Sequence, residues 1–305
     1  MAAEPRRAEE ARAAHAARAA THAEPCLMLF DLDGTLYDEH HAVRRSDGRA
    51  WRSQFKQNIW AFMASESFSP RVPPEQCEAV WRDAFRKHNQ TKRGLRAAGY
   101  EFDADALYVA MNDGVGDPDN AFTNFVRPDP RVPELLTQPP FASASKYVFT
   151  NCVDVVAMNR LRHIGFDLEN NGDGFEDVLY GAGFMGDRCK PERAAFDMVL
   201  RDIHERELRA GRPAVLDDAG ALSRPCCYFE DSLKNLVAAR EIYGNLLRTV
   251  YIQTPTGKEE SHAADELALI AHAVDVVVPS LISKSSSEWV AALMSLPEEC
   301  ANPVH

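Results

Sequence analysis

The run Cys26-Leu27-Met28-Leu29-Phe30 leaves no position to face water, and it stops abruptly at Asp31. A strand with one wet face alternates apolar and polar positions, so an uninterrupted run fits a strand covered on both faces, as in a parallel sheet. Similar runs recur at Tyr147 to Phe149, Val178 to Tyr180, Cys226 to Phe229 and Val250 to Ile252, with Val276 to Val278 as a further candidate. Between them the spacing becomes helical: Val153, Val156, Leu161 and Ile164, then Ala195, Phe196, Val199, Leu200 and Ile203, then Leu236, Ala239 and Ile242 before a stop at Gly244. Strands alternating with helices build right-handed βαβ units, so the expected fold class is α/β, a Rossmann-like doubly wound parallel sheet. Ligands of such sheets sit at the carboxyl ends of the strands.

The rhythm breaks after the first strand. From about residue 40 to 138 only helical spacing is visible, in stripes formed by Trp51, Phe55, Ile59 and Phe62, by Cys77, Val80, Trp81 and Phe85, and by Leu107, Tyr108 and Met111. These predict a helical domain over 40–138, inserted into a core made of 25–39 and 139–285. Pro128, Pro130, Pro133, Pro139 and Pro140 mark the return to the core, and Glu205 to Pro225 reads as a surface connection. Residues 1–24 read as a disordered or frayed tail, because Glu4, Glu9, Glu10 and Glu24 offset the arginines that a transit peptide needs, with an organelle-targeting segment as the alternative. Residues 286–305 read as a C-terminal helix and tail.

A formal charge of −12 repels polyanions, which argues against a nucleic-acid polymer or a membrane surface as partner. No apolar run approaches the roughly 20 residues that span a bilayer. The seven cysteines are scattered without a CxxC pair, which fits reduced thiols in a cytoplasmic or nuclear protein. The oligomeric state is left open.

The richest chemistry lies in Phe30-Asp31-Leu32-Asp33-Gly34-Thr35-Leu36-Tyr37, where a buried strand gives way to a glycine turn carrying two carboxylates. Side chains at i and i+2 project to the same side. Asp31 can then attack phosphorus while Asp33 reaches the leaving or entering oxygen as acid and base. Two later strand ends and one helix start supply partners. Thr150 and Asn151 offer groups for phosphate oxygens, Lys190 offers an ammonium to offset phosphate and nucleophile, and Glu230-Asp231-Ser232 offers oxygen ligands suited to Mg²⁺. Each has a plainer account as a helix cap or a solvated charge. Their order on successive βα units is what chance explains poorly.

This ordered set resembles the haloacid dehalogenase superfamily, whose motifs are matched by Asp31 with Asp33, by Thr150, by Lys190, and by Glu230 with Asp231. The resemblance implies a capped Rossmann-like core and Mg²⁺ as cofactor. It implies side-chain ligation by Asp31 and Asp231, ligation by Asp33 through its backbone carbonyl, and an auxiliary role for Glu230. An acid at Asp33 points to phosphate-ester hydrolysis, since the dehalogenases of the superfamily lack it and the transport ATPases carry Thr there. Finer likeness, in Phe149-Thr150-Asn151, Cys189-Lys190-Pro191, Phe229 to Asn235 and Gly94 to Asp103, is to the eukaryotic pyrimidine 5′-nucleotidases of fungi and plants. Two positions depart from that subgroup: Gly34 stands where many members have Asn, and Glu230 where many have Asp.

The expectation is a phosphatase acting on a small phosphomonoester such as UMP or CMP through an aspartyl phosphate. Other phosphoesters (a phosphosugar or pyridoxal phosphate), a phosphomutase, and a catalytically silent binding protein are the alternatives. Lys92, Arg93 and Arg96 are candidate leaving-group contacts in the cap. Three decoys are set aside. Gly257-Lys258 lacks the rest of a phosphate-binding loop, Asp167 to Val178 lacks the bidentate Glu of a calcium loop, and Glu39-His40-His41 reads as a polar hinge.

Overall fold

The computed structural model describes residues 27–38, 48–116, 118–139, 141–166, 174–253 and 264–282. The expected tail at 1–24, the C-terminal segment 286–305, the 39–41 hinge, the pair 257–258 and most of the decoy calcium loop lie outside them. The strands are β1 (Leu27–Phe30), β2 (Phe68–Ser69), β3 (Glu101–Phe102), β4 (Ser145–Phe149), β5 (Leu179–Tyr180), β6 (Cys226–Glu230), β7 (Leu247–Ile252) and β8 (Val276–Val278). Six of them form one parallel sheet in the order β5-β4-β1-β6-β7-β8. This is the α/β, Rossmann-like architecture that the apolar runs predict.

Alternation across the sheet explains why those runs contain no polar gap. Met28, Phe30, Val148, Cys227, Phe229 and Val250 enter one core cluster, while Leu27, Leu29, Tyr147, Phe149, Cys226 and Tyr228 enter the other. Both faces are thus apolar along β1, along β4 from Tyr147 to Phe149 and along β6 from Cys226 to Phe229. Phe30 stacks on Phe229 of the neighbouring strand with centroids 4.2 Å apart. The register is informative: Phe30 lies level with both Val148 and Phe229, so Asp31 emerges between Phe149 and Glu230 at the carboxyl edge. The strand order reverses about β1, with β4 on one side and β6 on the other, and this is where such sheets open a crevice.

Between β1 and β4 the chain builds helices Trp51–Met63, Pro74–His88, Thr91–Ala97 and Ala104–Asp113, closed around Ile59, Phe62, Trp81, Leu95, Leu107 and Met111. The last helix starts at a side-chain cap, Asp103 accepting from the N–H groups of Asp105 and Ala106, and ends at Gly114. Two expectations are corrected here. The insertion is not purely helical, since β2 and β3 pair antiparallel in a small ribbon, too short to leave a periodic signal. The segment Phe122 to Leu136, expected within the cap, packs in the core cluster beside Phe30, as does Trp51.

The expected surface connection is also different. The helix Arg193–Arg209 runs into that stretch, and Glu207 on it is fully buried. Glu207 accepts from Ser145, Tyr147 and Arg224 and pairs with Arg212, tying the loop to the amino end of β4. Among the described residues no helix is long and apolar enough to cross a membrane.

Gly94 is required by close approach: a Cβ there would stand 2.5 Å from the Ala84 carbonyl oxygen of the adjacent cap helix. Gly94→Ala is expected to push the two helices apart and destabilise the protein by about 1–3 kcal/mol, read as a lower urea midpoint.

Candidate active site

The carboxyl ends of β1, β4 and β6 converge on one ammonium. Lys190 is 1% exposed, and its Nζ donates to Asp31 Oδ1 at 2.7 Å, to Glu230 Oε2 at 2.8 Å and to the Phe149 carbonyl at 2.8 Å. An ammonium has three N–H bonds, and all three are directed at these oxygens. Lys190 is held in turn by Asn151, whose Oδ1 accepts from the Lys190 backbone N–H at 2.8 Å while its Nδ2 donates to the Lys190 carbonyl at 3.0 Å. Asn151, expected to hold phosphate oxygens, therefore spends its amide oxygen and one amide N–H on aligning Lys190. The other N–H is what it has left for an anion. Thr150 is buried beside it, and its Oγ1 accepts from the Cys152 backbone at 3.0 Å, leaving the hydroxyl proton to donate.

Burial raises the Asp31 carboxyl well above the usual carboxylate range, the charge of Glu230 pushes the same way, and Lys190 opposes both. In Glu230 burial also acts upward, but the Lys190 charge and the hydrogen bonds from Lys190 and Tyr228 bring it below its ordinary value. Burial disfavours the Lys190 cation, yet Asp31 and Glu230 outweigh burial and hold its pKa above the ordinary value. One cation thus serves two buried acids, with Asp231 alongside. The carboxylates of Asp31, Glu230 and Asp231 present oxygens within 4.8 Å of one another.

That donor set fits a hard divalent ion, because it is all oxygen and carries more negative charge than Lys190 neutralises. Gly34 shapes it. Its φ of +83° suits glycine, and a Cβ there would fall 2.3 Å from Asp231 Oδ2, so only a bare backbone lets this carboxylate approach.

Asp33 lies at the cavity wall and accepts at Oδ1 from Tyr37 and from Arg160. Above these groups is a cavity of about 390 Å³. The core supplies Asp31, Thr150, Lys190 and Asp231, and the cap supplies Phe55, Phe85, Tyr108 and the Asn89-Gln90-Thr91 turn. Asn89 has φ 53° and donates from Nδ2 to the Lys190 carbonyl at 2.5 Å, and Arg93 pairs with Glu192. Cap and core are therefore fastened at the segment that carries Lys190.

The candidate cap contacts lie elsewhere. Lys92 sits over the Tyr108 ring, Arg96 over Phe102, Arg93 is engaged by Glu192, and none of the three lines the cavity. Among the described residues, Arg52, Lys234 and Arg160 are the cavity's cations besides Lys190. Arg160 had a signal in the sequence, since it falls one helical turn from both Val156 and Ile164 on an otherwise apolar face.

No protein-family model and no curated protein matches the chain. Among solved structures it is similar to a HAD family hydrolase from Deinococcus radiodurans R1 with bound phosphate and sodium, at 17% identity over 90% of this chain and 100% of that one, TM-score 0.46. It is also similar to a haloacid dehalogenase-like family hydrolase from Streptococcus pneumoniae, at 14% identity over 88% and 98%, TM-score 0.44. A hydrolase from Pseudomonas syringae aligns at 14% identity over 90% and 100%, TM-score 0.48. At such distances function has to be argued from the site, because one fold hosts many activities.

If the acid cluster holds a divalent ion, millimolar Mg²⁺ should raise the melting temperature of the protein, and Gly34→Ala should lose most of that rise. An unchanged Mg²⁺ response in the variant would separate Gly34 from ion binding.

Proposed function

We propose that this protein is a Mg²⁺-dependent phosphatase of the haloacid dehalogenase superfamily, hydrolysing a small phosphomonoester through an aspartyl phosphate on Asp31. Its substrate in this reading is a pyrimidine nucleoside 5′-monophosphate such as UMP or CMP. The observation that carries the reading is the placement of Asp31, gripped by Lys190 and adjacent to Glu230 and Asp231, at the floor of a capped cavity. That cavity is within the roughly 300–1,000 Å³ usual for small-ligand sites. Its mixture of rings (Phe55, Phe85, Tyr108) and polar side chains (Asn89, Gln90, Thr91) suits a planar, hydrogen-bonding leaving group.

Mg²⁺, held by the side chains of Asp31 and Asp231 and the Asp33 carbonyl with Glu230 as auxiliary, would supply the positive charge that lets a carboxylate approach a phosphate dianion. The chain's own residues do the rest. Thr150 and the remaining Asn151 N–H orient the phosphoryl oxygens, while Lys190 keeps Asp31 aimed and offsets its charge. Asp31 attacks phosphorus as Asp33 gives its proton to the departing ester oxygen. Asp33 then takes a proton from the water that hydrolyses the acyl phosphate. The cap covers the reacting groups and excludes bulk water.

Asp31→Asn is expected to lower turnover by at least about a thousandfold, because the covalent route is removed. Phosphate release with Mg²⁺ across nucleotides, phosphosugars and pyridoxal phosphate tests the substrate. Cleavage of UMP and CMP well above the others supports the nucleotidase reading, preference for another ester moves the substrate, and silence on all of them favours a binding protein.

A further inference from the structure

Asp33 is held asymmetrically. Its Oδ1 takes both the Tyr37 hydroxyl and Arg160 Nη1, each at 2.5 Å, whereas among the described residues no donor reaches Oδ2. Arg160 is 4% exposed although it borders the cavity. The rings of Phe122, Trp51 and Phe55 surround its guanidinium, with centroids 5.1, 5.6 and 5.6 Å away. The rest of its fork reaches the cap: Nη2 and Nε donate to Asn112 Oδ1 at 2.8 and 3.2 Å. Asn112 cannot turn away without loss, because its Nδ2 is engaged by the Tyr108 carbonyl at 2.8 Å. A buried arginine thus joins three separate parts of the chain: the turn after β1, the helix Asp154–His163 that carries it, and the cap helix Ala104–Asp113.

We propose that Arg160 is a positioning residue for the acid and base of the reaction, and that it ties this role to the docked cap. By anchoring Oδ1 it leaves Oδ2 as the oxygen that exchanges protons with the ester. This inference rests on the phosphatase reading. In the first step Asp31 forms its bond to phosphorus, the phosphorus–oxygen ester bond breaks with its electron pair on the leaving oxygen, and that oxygen takes the proton from Asp33 Oδ2. In the second step water attacks the phosphorus of the acyl phosphate and gives a proton to Oδ2, and the carboxylate of Asp31 departs with the bonding pair. When the cap lifts, Asn112 leaves the fork and Arg160 loses the contact that fixes its plane. Proton transfer is thereby confined to the closed enzyme.

The test uses the full chain, Mg²⁺ and two esters that differ in their need for an acid, p-nitrophenyl phosphate and glycerol phosphate. Nitrophenolate leaves without protonation, but an alkoxide does not. Arg160→Lys keeps the charge and removes the fork. It should slow the first turnover on glycerol phosphate by at least about 100-fold, in keeping with the usual worth of a general acid. It should change the first nitrophenolate release by less than about tenfold. Nitrophenolate should then appear as a burst of one per site followed by slow turnover, because the base of the second step is displaced too. Tyr37→Phe and Asn112→Ala should shift the same ratio in the same direction, and they carry the test if Arg160→Lys does not fold. Asn112→Ala added to Arg160→Lys should cost no more than Arg160→Lys alone. Equal slowing of both esters would reduce Arg160 to a packing residue, and additive losses in the double variant would remove the link to the cap. A wild-type chain that releases no phosphate and forms no adduct would instead end the phosphatase reading itself.

Discussion

The buried ammonium of Lys190 is the contact on which this architecture turns. It takes oxygens from the ends of the three central strands, Asp31 after β1, the Phe149 carbonyl of β4 and Glu230 of β6. A charge inside a protein is costly, and removing one member of such a set typically costs about 3–5 kcal/mol because it strands the others. The acids therefore keep the lysine charged, and the lysine keeps them gathered. The same backbone segment receives Asn151 from the core and Asn89 from the cap. Fold, site and cap attachment meet at one side chain.

What the sequence made legible was whatever depends on local periodicity or local order. Unbroken apolar runs announced strands with two buried faces, and the acids at the ends of β1 and β6 stood where a parallel sheet places ligands. The stop of the helix Leu233–Tyr243 at Gly244 was equally local. Pairings between distant residues were not legible. Nothing near Asn112 or Arg160 announces that they share a hydrogen bond, and Glu207 looked like one more charge in a polar stretch until Arg212 and Arg224 folded back on it. The β2–β3 ribbon was invisible for another reason, since strands this short have no period to detect.

Asn151 shows how the same residue type can be selected for a different service. A strand-end asparagine reads naturally as an anion ligand, yet most of its amide is occupied by the backbone of the residue that supplies the charge. The departures at Gly34 and Glu230 have similar physical content. Gly34 gives Asp231 the room in which a side chain would collide, and Glu230 is long enough to reach Lys190, Tyr228, Asn235 and the Ser232 N–H together.

The central position of β1 has a consequence for how the molecule is made. Its two hydrogen-bonding neighbours, β4 and β6, are encoded beyond the whole insertion, so Leu27–Phe30 has no sheet to join while the ribosome is still producing the helices that follow it. The insertion has an apolar centre of its own in Ile59, Phe62, Trp81 and Leu95, and can gather while β1 waits. An apolar strand ending in a buried acid is thus synthesised well before the strands that shelter it. A chain truncated before Cys226 would hold the whole Asp31–Tyr37 turn and still lack the neighbouring strand and the Glu230 carboxylate that complete its surroundings.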